Sequence, residues 1–194
     1  MNNRRSIRWS VAPGMLALAA LGVVALAVAC AANTAANPTA SPAARPPAPP
    51  RAQDAAAAGA RVLTLVNRAR AAPRRCGSKA IPATSPLTRN GELDAVALAY
   101  AEELVRLGRF DHRGADGSLA VDRVARSGYR ARIVGENLAA GPTTADEVVA
   151  GWLASPGHCE NVMEARFTQM GIAYVDKPAS RHGIIWVQLF ATPR

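Results

Sequence analysis

His158 and Cys159 stand side by side in the stretch Trp152-Leu-Ala-Ser-Pro-Gly-His-Cys-Glu-Asn-Val-Met163, which holds one of only three histidines and one of only three cysteines in the chain. An imidazole is the side chain most readily set to take or give a proton near neutrality. A cross-link at Cys159 would fix that ring in space. Ser155-Pro156-Gly157 just before it reads as a chain break, because proline cannot continue a helix and glycine takes the left-handed turn that ends one. His158 is therefore expected at a stop after an amphipathic helix. The plainer alternative is a histidine that caps the helix or sits satisfied in the core.

Two further groups are placed where they could join it. His112 follows a helical run in Phe110-Asp-His112, and Glu136 lies in Gly135-Glu-Asn-Leu138. Two imidazoles can hold a divalent metal such as zinc, and a carboxylate can orient one of them or a bound water. A hydrolytic use is the rival: His158 as base, with Ser155 or Cys159 as nucleophile. Ser155 lacks the Gly-x-Ser-x-Gly elbow, and an oxidised cysteine cannot attack. His182 falls in a polar turn and is expected at the surface.

The elements that must position these residues can be read from periodicity. Val62, Leu65, Val66 and Ala69 give a helix over 55–71, and 74–86 reads as a long loop. Leu93, Val96, Ala97, Tyr100, Leu104 and Leu107 give a second helix over 90–107, with Asn90 as cap and Gly108 as stop. Leu119, Val124 and Ala125 mark a short third helix closed by Gly128, and 129–133 is strand-like, with the Glu136 segment following it. Thr144-Ala-Asp-Glu147 is a capping box that opens a fourth helix carrying Trp152 on its apolar face. Runs 169–175 and 183–190 around a polar turn form a terminal hairpin. Helices come first and paired strands last, so the fold class is α+β, with helices packed on a largely antiparallel sheet.

The first 53 residues are of another kind. Arg4, Arg5 and Arg8 precede an uncharged apolar run from Val11 to Ala29, the pattern of an export signal over residues 1–29. Residues 30–53 are a disordered tether rich in Pro and Ala, able to reach roughly 70 Å in polyproline form. The folded domain occupies 54–194. The formal charge of +9 drops to +6 once residues 1–29, with three arginines and no acids, are set aside. The remaining arginines are scattered, with no basic block or zinc-finger spacing, so nucleic acid is not an expected partner.

The ordered set Phe110-x-His112, Gly135-Glu-Asn-Leu-Ala139, Trp152 with Gly157-His158, Met170-Gly-Ile-Ala173 and Trp186-Val-Gln-Leu-Phe190 resembles the CAP superfamily of cysteine-rich secretory, antigen 5 and pathogenesis-related proteins (the SCP domain), over about 60–191. The few cysteines and the segment Ser155-Pro-Gly-His-Cys159 are similar to its bacterial branch. The resemblance implies an α-β-α sandwich with a cleft lined by two histidines and two acids. Carried over residue by residue, these are His112, Glu136 and His158, while the second acid is replaced by Ser155. Glu160 or Glu147 could stand in for it, with no motif behind either. Asn137 is read as satisfying loop backbone beside Glu136, and Trp152 and Trp186 as core.

The expected function is a secreted or membrane-tethered envelope module that binds a lipid, sterol or glycan ligand without turnover. Weak zinc binding at His112 and His158 is the one cofactor expected. The alternative is a metal-assisted or serine-type peptidase or esterase using the same cleft. Export implies oxidised thiols, so Cys76 and Cys159, the two cysteines of the folded part, are expected to pair. Cys30 after Ala27-Val-Ala29 resembles the lipid-attachment cysteine of bacterial lipoproteins, although Ala27 stands where leucine is usual. It is expected to carry the lipid that anchors the chain to the outer face of the cell membrane.

Overall fold

The computed structural model describes residues 52–194; the expected export signal, Cys30 and the expected tether up to residue 51 lie outside the described residues. In chain order the elements are α1 (Ala52–Arg70), β1 (Arg74–Cys76), β2 (Lys79–Ile81), β3 (Thr88–Arg89), α2 (Gly91–Leu107), α3 (Ala120–Arg126), β4 (Ala131–Ala140), α4 (Ala145–Ala154), α5 (Pro156–Met163), β5 (Gln169–Lys177) and β6 (Gly183–Pro193). β1 and β2 pair as a small hairpin, and the main sheet runs β3-β5-β6-β4. Its β4–β6 and β5–β6 ladders are antiparallel, and only the two-residue β3 runs parallel to β5.

β6 is apolar at nearly every position because it is covered on both faces. Trp186 and Phe190 point to one side, where they meet Val62 and Val66 of α1, Val148 and Trp152 of α4, and Val162 of α5. Ile185, Val187 and Leu189 point to the other, against Leu93, Ala97, Tyr100 and Leu104 of α2 and Val124 of α3. Helices therefore lie on both faces of the sheet, and the fold is an α-β-α sandwich. Tyr174 stacks on Trp186 with ring centroids 4.4 Å apart, and Phe167 on Phe190 at 5.2 Å.

Local chemistry sets the boundaries. Asn90 Oδ1 accepts from Glu92 N and Leu93 N at 2.9 and 3.1 Å, and Gly108 closes α2 in the left-handed region at φ 60°. Thr144 and Glu147 cap α4 reciprocally. Gly171 lets α2 lie directly on β5, since a methyl there would overlap the backbone of Leu93 and Asp94. Gly135 makes the same allowance for Phe167, whose ring would meet a Cβ at 2.6 Å. Arg70, fully buried, ties two loops together by donating to the carbonyls of Ser85, Val162, Glu164 and Phe167. Burial brings its pKa down to about 10.

Three expectations are corrected. The 74–86 loop contains the β1–β2 hairpin, turned by Gly77 at φ 61°. The Gly135-Glu-Asn-Leu motif is not a loop after a strand but the middle of β4, which continues to Ala140. Ser155-Pro-Gly does not end in a left-handed glycine. Proline lacks the N–H that the first helical residue never uses, so Pro156 starts α5 and Gly157 is helical. Ser155 is the hinge between α4 and α5, extended at φ −90°, ψ 122°.

Candidate functional site

β4 is an edge strand, and its alternation sends Glu136 to the α2–α3 side and Asn137 to the α4–α5 side. The site is assembled around that edge. On the first side the loop after α2 brings His112 down so that its Nδ1 lies 2.8 Å from Glu136 Oε1. Arg123 of α3 donates from NH2 to Glu136 Oε2 at 2.6 Å. The arginine and the glutamate side chains are 7% and 4% exposed, whereas that of His112 is 54% exposed. The carboxylate is thus buried and shared, with one oxygen on the imidazole and the other on a guanidinium.

Arg123 is itself held from several directions. Its NH1 donates to Ser118 O at 2.9 Å and to His112 O at 3.3 Å, and its guanidinium lies 3.4 Å from the centroid of the Tyr100 ring. Tyr100 donates its hydroxyl to Asp111 O at 2.6 Å, and burial pushes its pKa up to about 12. Arg123 Nε and Ser118 Oγ are buried without a partner. Two adjacent loop residues, Asp111 and His112, are therefore tied by backbone carbonyls to α2 and α3, which holds the imidazole over the carboxylate.

On the second side Asn137 is fully buried rather than serving a loop. Its Nδ2 donates to Gln188 Oε1 at 3.1 Å and to His158 O at 3.3 Å, and its Oδ1 accepts from Asn161 at 2.9 Å. This fixes the first turn of α5, where His158 sits half-buried one residue before the disulfide. The expected Cys76–Cys159 bridge is present and anchors α5 to the β1–β2 hairpin. Burial lowers the His158 pKa, and the charge of nearby His112 lowers it further. The His112 pKa is raised, chiefly by its hydrogen bond to Glu136, against the opposing effect of desolvation.

Two unlike imidazoles result. Glu136 accepts the Nδ1 proton of His112, so the exposed Nε2 of the neutral ring is a hydrogen-bond acceptor. His158 favours the neutral form. The acid replaced by Ser155 has no substitute: Glu160 pairs with Lys79 at 2.5 Å, and Glu147 is spent on Thr143 and Thr144. The Ser155 hydroxyl makes no cap bond to α5 and has no hydrogen-bond partner among the described residues. With both Glu136 oxygens engaged, no group of three or more metal-ligating side chains forms among the described residues.

Arg123 is the site residue that sequence reading does not single out. It lies on the inner face of α3 beside Val124, and its partner is thirteen positions away on another element. His182 is half-buried in the β5–β6 turn, its ring centroid 5.8 Å from that of Phe110, and it lines a pocket with Phe110 and Asp111. Trp152 and Trp186 are core, each 1% exposed.

The profile described as the cysteine-rich secretory protein family matches residues 63–190. The uncharacterized protein YkwD of Bacillus subtilis is 32% identical over 105 residues, which are 54% of this chain and 39% of that protein. This chain therefore spans well under half the length of that relative. Among solved structures, an extracellular protein of Bacillus anthracis containing an SCP domain aligns with a TM-score of 0.59 at 23% identity, over 72% of this chain and 41% of its own. An outer surface protein of Borrelia burgdorferi aligns with a TM-score of 0.50 at 26% identity, over 56% of this chain and 78% of its own.

Proposed function

The chain belongs to the cysteine-rich secretory protein (CAP) family, and from that premise we propose that it is a non-catalytic binding module of the bacterial cell envelope, whose His112/Glu136/His158 site takes a hydroxyl-rich glycan. The observation that carries this is the engagement of Glu136. A carboxylate bound on one side by His112 and on the other by Arg123 is a fixed orienting group, not a base free to activate water. The groups left without a protein hydrogen-bond partner among the described residues suit sugar hydroxyls as donors and acceptors: His112 Nε2, the His158 ring and the Ser155 hydroxyl. A lipid or sterol would need an apolar lining that these residues do not supply.

The extracellular and outer-surface descriptions of the structural relatives support placement outside the cell. A signal over 1–29 and a lipid on Cys30, with 30–53 as tether, complete the proposal. Detergent-phase partition that is the same for the parent and Cys30→Ala would remove the anchor. Zinc, where it binds, is proposed to use His112 and His158 and to bind weakly for want of a third ligand.

The test is retention of envelope glycan by the purified chain, read by mass spectrometry of what co-purifies. The parent is expected to carry glycan that a His112→Ala/His158→Ala variant does not. Saturable cleavage of casein or short-chain esters, abolished in that variant, would instead make the same cleft a hydrolase.

A further inference from the structure

α3 turns an apolar side outward. Leu119 at its cap and Val121 in its first turn keep 41% and 51% of their surface in water, two of the four large apolar side chains left exposed among the described residues. Val121 and Ala125 form one wall of an open groove of about 670 Å³ whose other wall includes Tyr129, Arg130 and Arg194. Arg194 closes it by donating from its backbone N to Arg130 O at 2.9 Å and from Nε to Ala131 O at 3.0 Å.

Two arginines, Arg130 and Arg194, and no acid line this groove, with Glu92 near enough to act on the Tyr129 hydroxyl. Asp122, the one acid of α3, is turned back onto Leu119 N at 2.9 Å. Arg123 is buried against Glu136, and Arg126 is taken up by Asp116 at 2.6 Å. Arg130, Arg132 and Arg194 form no ion pair among the described residues. An exposed apolar ridge bordered by unpaired guanidinium groups matches the boundary between phosphates and acyl chains in an anionic bilayer. A soluble polyanion would use the arginines and gain nothing from Leu119 and Val121.

We propose that α3 and the 128–132 segment form a peripheral docking surface for an anionic phospholipid membrane. Leu119 and Val121 enter the headgroup layer, and Arg130, Arg132 and Arg194 meet lipid phosphates. No helix among the described residues is long and apolar enough to cross a membrane, which is consistent with a surface contact. The glycan site is separate, since neither His112 nor His158 lines this groove.

The experiment is vesicle flotation of the exported chain carrying Cys30→Ala, so that no lipid anchor contributes. Vesicles of phosphatidylcholine alone are compared with vesicles mixed with phosphatidylglycerol. The parent is expected to float with the anionic vesicles and far less with the neutral ones. Arg130→Ala/Arg132→Ala should lower the partition about 25-fold, at about five-fold per arginine. Val121→Gln, which removes the apolar contact without adding charge, should lower it on the same vesicles, and neither change should move the thermal midpoint, because all three side chains are exposed. Equal flotation with both vesicle types, or variants that float as the parent does, would overturn the proposal. Loss with the arginine variant but not with Val121→Gln would reveal a site for soluble polyanions, and would equally overturn the bilayer reading.

Discussion

Removing the Arg123 side chain tests the central claim about the site. In Arg123→Ala the Glu136 carboxylate, 4% exposed, keeps His112 and loses its guanidinium partner at 2.6 Å. The carbonyls of Ser118 and His112 lose a donor in the same step, and the Tyr100 ring loses the cation above it. Breaking a buried ion pair from one side costs about 3–5 kcal/mol. A domain of about 140 residues unfolds with an entropy near 0.3 kcal/mol/K, so the midpoint should fall by about 10–17 °C. Calorimetry and urea titration of the exported chain would read this. Arg123→Met/Glu136→Gln should recover much of the loss, because it leaves no unpaired buried charge. A loss in Arg123→Ala below about 1 kcal/mol, the range of exposed pairs, would refute the reasoning, since Glu136 would then have to be solvated.

Three other outcomes are expected. Gly171→Ala should destabilise the domain by about 1–3 kcal/mol in urea melts, because a methyl overlaps the α2 backbone; parent-like stability would mean that helix and sheet are not in that contact. Cys76→Ala/Cys159→Ala should cost up to about 4–5 kcal/mol for a bridge separated by 83 positions, and thiol titration of the folded parent should find neither cysteine free. NMR titration should place the His112 midpoint above 6.5 and that of His158 below it. The raised His112 value contributes stability that is complete below pH 6.5 and is lost as pH rises through the folded value. The depressed His158 value removes stability as pH falls from 6.5 through its folded value. The reverse order of midpoints would mean that Glu136 does not hold His112.

Much of the scaffold is legible in the sequence because its signals are local. Asn90, Gly108 and the Thr144–Glu147 box each mark a helix end with side chains a few residues apart. The apolar runs of β5 and β6 announce a hairpin. Pro156 is ambiguous on local grounds, since proline both stops one helix and begins the next, and only the packing of Cys159 and Val162 in the core shows that α5 follows at once. The β1–β2 strands have three residues each, too few to display a period of two. His112, Glu136 and His158 stand out by residue type and by family motif. The arginine that completes their arrangement does not, because on α3 it looks like any solvated charge until Glu136 arrives from another element. Arg70 is hidden for the same reason, its partners being backbone carbonyls 15 or more positions distant.

One feature of β4 bears on how copies of this domain behave side by side. As the last strand of the sheet it would ordinarily present a row of bare peptide groups to any neighbour. Trp152 Nε1 donates to Leu138 O at 3.2 Å and Asn161 Nδ2 to Glu136 O at 3.1 Å. Side chains of α4 and α5 thus occupy positions that an incoming strand would need. The same residues that build the core and steady the first turn of α5 deny a second molecule its template for strand addition. Domains at high local concentration would then stay separate, and Asn161→Ala should be the change that first lets them associate through this edge.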